Sequence, residues 1–108
     1  MARATMPRVN VVVSLWVGTD DVAAFESFEC AAAQVMAKHG GRIDHVVRRA
    51  DVERGDGPFE VHVVSFPDWS SFEAYRADPA FKALLAQRDR VISRTEIWRG
   101  EERAVYTS

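Results

Sequence analysis

The sequence predicts an α+β fold in the order β-α-β-β-α-β, with four antiparallel strands and both helices on one face of the sheet. Three observations predict it. The runs Val9–Val17 and Phe59–Phe66 are rich in β-branched and aromatic residues and sort into two alternating sets, the period of a strand. Residues 25–39 and 81–92 repeat apolar side chains at three- and four-residue spacing, the period of a helix. Between two of the strands lies Arg54-Gly55-Asp56-Gly57-Pro58, whose Asp-Gly dipeptide favours a hairpin.

The chain has 108 residues, 47% apolar and 28% charged, the balance of one globular domain that needs no metal or disulfide staple. The expected organisation is a tail over residues 1–8, one domain over 9–100 and a polar tail over 101–108. A net charge of −2 gives no basic face for nucleic acid. Arg48, Arg49 and Arg54 read as a solvated strand edge, where charge blocks stray pairing. Cys30 is the only cysteine, so no intrachain disulfide is available, and a lone thiol suits a reducing cytoplasm. Arg3 and Arg8 precede an apolar run, as in a secretory signal, but that run alternates and leads into a helix start, so it reads as a core strand. No run approaches the ~20 residues of a membrane span.

The first strand has a wholly apolar set, Val9, Val11, Val13, Leu15 and Val17, and a mixed set, Asn10, Val12, Ser14 and Trp16. Thr19 or Asp20 is expected to cap the first helix, whose stripe is Phe25, Phe28, Ala32, Val35, Met36 and His39. Glu29 flanks that stripe and Cys30 points further away. Gly40-Gly41 supplies a left-handed stop. A second strand is expected over Ile43–Glu53. After the third strand, Asp68 or Ser70 caps a short helix carrying Trp69, Phe72 and Tyr75, with Ser70 and Glu73 forming a capping box. Asp78-Pro79 starts a further helix with the stripe Phe81, Leu84, Leu85, Arg88, Val91 and Ile92, and Thr95–Trp98 is the last strand. This is the ferredoxin-like pattern. The wholly apolar set of strand one would meet the helices. The other face would then carry Val12, Trp16, His62, Val64, Phe66 and Trp98, an apolar patch too large for a monomer, so a second copy of the sheet is expected to cover it.

With the elements placed, the chain resembles the dimeric α/β-barrel superfamily, and within it small bacterial proteins of unknown function related to antibiotic-biosynthesis monooxygenases. The likeness is carried by VSLWV, FESFE, HGG, VHVVSFPDWSSFEAY, ADPAF, the helical Arg88 and TEIW, and covers about residues 9–100. It implies a homodimer in which two sheets face each other, with a pocket between each sheet and its helices. Its relatives include cofactor-independent oxygenases, polyketide cyclases, isomerases, haem-degrading enzymes and members with no established activity.

Arg88 stands in an apolar stripe, and a guanidinium there demands a partner. One reading is an anchor for a small organic anion, a carboxylate, phenolate or enolate. The other is a structural pair with Glu29 or Glu96, or a stem that packs while its head reaches water. Glu29 and Glu96 are the carboxylates nearest buried faces and could act as general bases; a salt bridge or simple exposure is the alternative. His62, expected beside Trp16 and Trp98, is a candidate acid or base, or else a hydrogen-bonded interface residue. His39 and His45 read as a helix-end cation and a strand-surface residue. Ser14, Trp16, Phe66, Tyr75 and Trp98 are the candidates for lining a pocket for an aromatic ligand, although core and interface packing explains the aromatic ones too. No metal or cofactor is expected, since the three histidines share no i,i+4 spacing and no second cysteine is present; haem stays open only through one histidine and an apolar cavity. Two functional readings remain open. One is a cofactor-free oxygenase, isomerase or cyclase acting on a small acidic or aromatic molecule. The other is a non-catalytic dimeric module that binds a metabolite or pairs with itself. The test between them is whether Arg88, Glu29 and His62 converge on one cavity.

Overall fold

A computed structural model describes residues 8–51 and 55–106; the first seven residues of the expected tail over 1–8, positions 52–53 of the expected second strand, Arg54 of the basic cluster and the last two residues lie outside the described residues, and the second strand ends at Arg48, short of the expected Glu53. The strands are β1 (Val9–Val17), β2 (Arg42–Arg48), β3 (Glu60–Phe66) and β4 (Ile92–Gly100), and the helices α1 (Val22–Lys38), α2 (Trp69–Ala77), α3 (Pro79–Lys82) and α4 (Leu85–Val91). All strand pairs are antiparallel, in the spatial order β2-β3-β1-β4. This is the ferredoxin-like α+β arrangement, with the central strands β1 and β3 under the helices.

The apolar set of β1 faces the helices as its composition requires. Val11 and Leu15 are 0% and 3% exposed, and Val9, Val13 and Val17 pack around them. Strand β3 differs from expectation. Val13 pairs with His62 and Val11 with Val64, and directly opposed residues share a face. His62, Val64 and Phe66 therefore lie beneath the helices, and Val61, Val63 and Ser65 take the outer face with Val12, Trp16 and Trp98. The aromatic interface set expected from the sequence thus loses His62, Val64 and Phe66, because period 2 fixes two sets but only the pairing register says which goes inward.

Several helix ends also differ in detail. A 3-10 turn over Thr19–Asp21 precedes α1, whose N-cap is Asp21 and makes no side-chain capping bond. At the other end His39 is the C-cap and Gly40 has φ +74°, the left-handed stop anticipated at Gly40-Gly41. Asp68, not Ser70, caps α2: its carboxylate accepts from the Ser71 amide at 2.8 Å, and the Ser70 hydroxyl donates to the same oxygen at 2.9 Å. Asp78 closes α2 and caps α3, accepting from the Ala80 amide at 2.8 Å with Pro79 first in the new helix. It also bonds His39 Nε2 at 2.7 Å, tying the end of α1 to the α2–α3 corner. The last helix breaks at Ala83–Leu84 into α3 and α4. Ile92 is the first residue of β4, because β1 offers pairing partners along its whole length, from Val17 opposite Ile92 to Asn10 opposite Gly100.

The core has two buried clusters. One centres on Val11, Val35, Val64, Phe66, Phe72 and Tyr75; the other on Leu15, Phe25, Phe28, Ala32, Val91 and Ile92. Val13, Phe81 and Leu84 touch both.

Candidate active site

A cavity of about 210 Å³ lies between the sheet and the helices. Its floor is Val13 and Leu15 of β1, His62 and Val64 of β3, and Thr95 and Ile97 of β4. Glu29 reaches it from α1, Tyr75 and Arg76 from α2, and Leu85 and Arg88 from α4. The remaining walls are apolar side chains, among them Phe28, Met36, Phe72 and Phe81.

The polar groups are arranged in a chain. Glu60 and His62 are two apart on β3, so both point inward, and they are 5% and 4% exposed. His62 Nε2 lies 2.7 Å from Glu60 Oε1, and the other oxygen of Glu60 accepts from Arg48 Nε at 2.6 Å. Arg48 also reaches Glu26 of α1 at 3.1 Å and lies over the Phe59 ring, 4.8 Å from its centroid. On the cavity side, His62 Nδ1 is 3.7 Å from a Glu29 oxygen, beyond hydrogen-bond range. The buried carboxylate Glu60 is the residue that sequence reasoning missed. Its signal was present: a glutamate and a histidine two apart in a strand must share a face.

Burial raises the Glu29 pKa above the ordinary carboxylate value; the His62 and Arg88 charges oppose that rise and Glu60 adds to it. Burial also raises the Tyr75 phenol, with the Glu29 charge pushing the same way, so Tyr75 remains a hydrogen-bond donor. Arg88 donates to the Thr95 hydroxyl and, at 3.2 Å, to Asp89. It bonds neither Glu29 nor Glu96. The latter pairs with Arg94 and sits opposite Ser14 on the outer face.

Three candidates thus meet in one cavity, Glu29, His62 and Arg88, and Tyr75 joins them. Ser14, Trp16, Glu96 and Trp98 are on the other face of the sheet, and Phe66 is packed in the core beside Phe72 and Tyr75. Trp16 donates to the Asp56 carbonyl at 2.7 Å and lies under Arg94, and Trp98 is 57% exposed. Among the described residues no group of three or more His, Cys, Asp or Glu side chains is placed to hold a metal ion. No described helix is long and apolar enough to cross a membrane.

A ferredoxin-like sheet with a polar cavity beneath its helices defines the general class. The sequence places the chain more narrowly: residues 11–98 match the family described as a domain of unknown function, DUF1330, and the protein belongs to that family. No curated protein matches the sequence. Among solved structures the chain is similar to a protein of unknown function from Rhodopseudomonas palustris, with TM-score 0.73 and 11% identity over 93% of this chain and 85% of the other. It is similar to a mutant of SnoaB, a cofactor-independent oxygenase from Streptomyces nogalater, with TM-score 0.71 and 20% identity over 94% and 99%. A candidate antibiotic biosynthesis monooxygenase from Nitrosomonas europaea gives TM-score 0.67 and 13% identity over 94% and 95%. At these identities the likeness is one of fold.

Proposed function

We propose that this protein binds a small planar organic acid or phenol in the cavity and moves a proton on it without a cofactor. The observation that carries the reading is the convergence of Arg88, Glu29 and His62 on one apolar cavity. Arg88 holds the anionic group, for which a planar guanidinium is suited. His62 or Glu29 takes the proton of an acidic O–H or activated C–H. The resulting enolate or phenolate is the shared first intermediate of isomerisation, cyclisation and reaction with O2. The likeness in fold to a cofactor-independent oxygenase is consistent with the last of these. Thermal melts with salicylate, 4-hydroxybenzoate and 1,4-dihydroxy-2-naphthoate test the reading. At least one should raise the melting temperature of the wild type and fail to raise that of Arg88→Met; no shift with any of them removes it.

The second part of the proposal is a homodimer through the outer sheet face. Val12, Val61 and Val63 line that face at the sheet centre, and Trp98 on edge strand β4 and Val47 on edge strand β2 extend it at 57% and 55% exposure. A second copy is the simplest cover for such a patch. Sedimentation should give a dimer at micromolar concentration and a monomer for Trp98→Glu; a monomeric wild type refutes it.

A further inference from the structure

We infer that Glu60 is the positioning residue that fixes the tautomer of His62, leaving the cavity-facing nitrogen Nδ1 as the basic one. The inference deepens the proton-transfer reading and rests on it for its functional meaning. Its structural content stands alone.

The geometry is that of a buried carboxylate behind an imidazole. Glu60 Oε1 is 2.7 Å from His62 Nε2. The other Glu60 oxygen accepts from Arg48, which has only donors to offer. A carboxylate held this way is acceptor-only, so the neutral ring must carry its proton on Nε2. The lone pair is then on Nδ1, which faces Glu29 across 3.7 Å at the cavity wall. The same logic operates wherever a carboxylate orients a catalytic histidine: the acid is not the base but decides which ring nitrogen is. When Nδ1 takes a proton, the imidazolium lies between Glu60 and Glu29, with Arg76, Arg88, the Tyr75 phenol and the Thr95 hydroxyl as the other polar groups lining the cavity. Arg48 is itself fixed by Glu26 and the Phe59 ring, so the orienting pair is anchored from both α1 and the β3 approach.

Replacing Glu60 by glutamine should reverse the arrangement. Arg48 can only face the amide oxygen, which turns the NH2 group toward His62 and makes Nε2 an acceptor. The ring proton must then move to Nδ1, and the cavity nitrogen loses its lone pair. Long-range 1H–15N NMR on the full-length protein, above the pH where the ring is charged, reads both states directly. The expected result is the Nε2–H pattern in wild type and the Nδ1–H pattern in Glu60→Gln. An Nδ1–H wild-type ring, an even mixture of tautomers, or a Glu60→Gln spectrum identical to wild type would overturn the inference. If Glu60→Gln does not fold, the wild-type spectrum alone decides. The melts with aromatic acids separate this from the binding reading. An Nε2–H ring in a protein that no acid stabilises removes the binding reading and leaves the role of Glu60 intact. The wrong tautomer in a protein that does bind acids has the opposite consequence.

Discussion

Replacing Arg88 by methionine separates anchoring from structural pairing. Methionine keeps the unbranched apolar stem and deletes the guanidinium. Arg88 makes two contacts in the free protein, the Thr95 hydroxyl and Asp89. The first is a hydrogen bond from a charged donor at the cavity edge, worth roughly 1.5–3 kcal/mol net. The second involves an Asp89 side chain that is 71% exposed, and such pairs contribute roughly 0–1 kcal/mol. Removing a partly desolvated charge offsets part of both. Arg88→Met should therefore cost about 1–2 kcal/mol of stability. A buried carboxylate losing its direct partner would instead cost about 3–5 kcal/mol. Affinity should respond the other way. A charge-assisted contact to a bound carboxylate is worth roughly 1.5–3 kcal/mol, so binding of an aromatic acid should weaken by about 10- to 150-fold. Urea denaturation gives the first quantity and a ligand titration the second. A loss of 3 kcal/mol or more in the empty protein, or an affinity within threefold of wild type, would show the anchor reasoning to be wrong.

Glu29→Gln tests the desolvation of the cavity. Its carboxyl pKa is raised in the folded state, chiefly by burial, so the native protein holds that proton more tightly than the unfolded chain does. Stability is then lost as pH rises from the unfolded value through the folded one. Glu29→Gln should be more stable than wild type at neutral pH and indistinguishable from it in acid, as melts across pH will show. Gly41→Ala should destabilise by about 1–3 kcal/mol, because a Cβ there would stand 2.5 Å from the Phe66 ring and closer still to Met36; a neutral urea midpoint would contradict the packing. Cys30 is exposed on α1 and away from the cavity, so Cys30→Ala should leave both the melting temperature and acid binding unchanged.

The sequence carries the element order because periodicity and turn chemistry are local. The Asp78-Pro79 restart, the Gly40 stop and the inward set of β1 are all fixed by residues within a few positions of one another. The parity of β3 is not local. Val61, Val63 and Ser65 are nearly as apolar as His62, Val64 and Phe66, so hydrophobicity alone does not rank the two sets. What ranks them is the register against β1, where Val13 meets His62. A one-residue slip would exchange every side chain of β3 between cavity and outer face.

That single parity decides the chemistry. With His62 outward, Arg88 would be alone in an apolar cavity and would need Glu29 or Glu96 as a direct partner. With His62 inward, Glu60 comes with it, because two residues in a strand share a face. A glutamate that composition would assign to the surface then has to be compensated in the interior. Arg48 does this from β2, at the edge of the sheet, with its guanidinium over the Phe59 ring and its far nitrogen on Glu26. Among the described residues no buried side-chain polar atom lacks a hydrogen-bond partner, and Arg48, Glu60 and His62 Nε2 are joined to one another without a ligand. Glu29, by contrast, meets His62 only at 3.7 Å, beyond hydrogen-bond range, and it is the carboxyl whose pKa burial raises. The site thus divides into a satisfied, orienting half on the strands and a less satisfied half on α1 and α4. A bound acid would contribute what the second half lacks: an anion for Arg88 and a hydrogen-bonding partner for Glu29 and Tyr75.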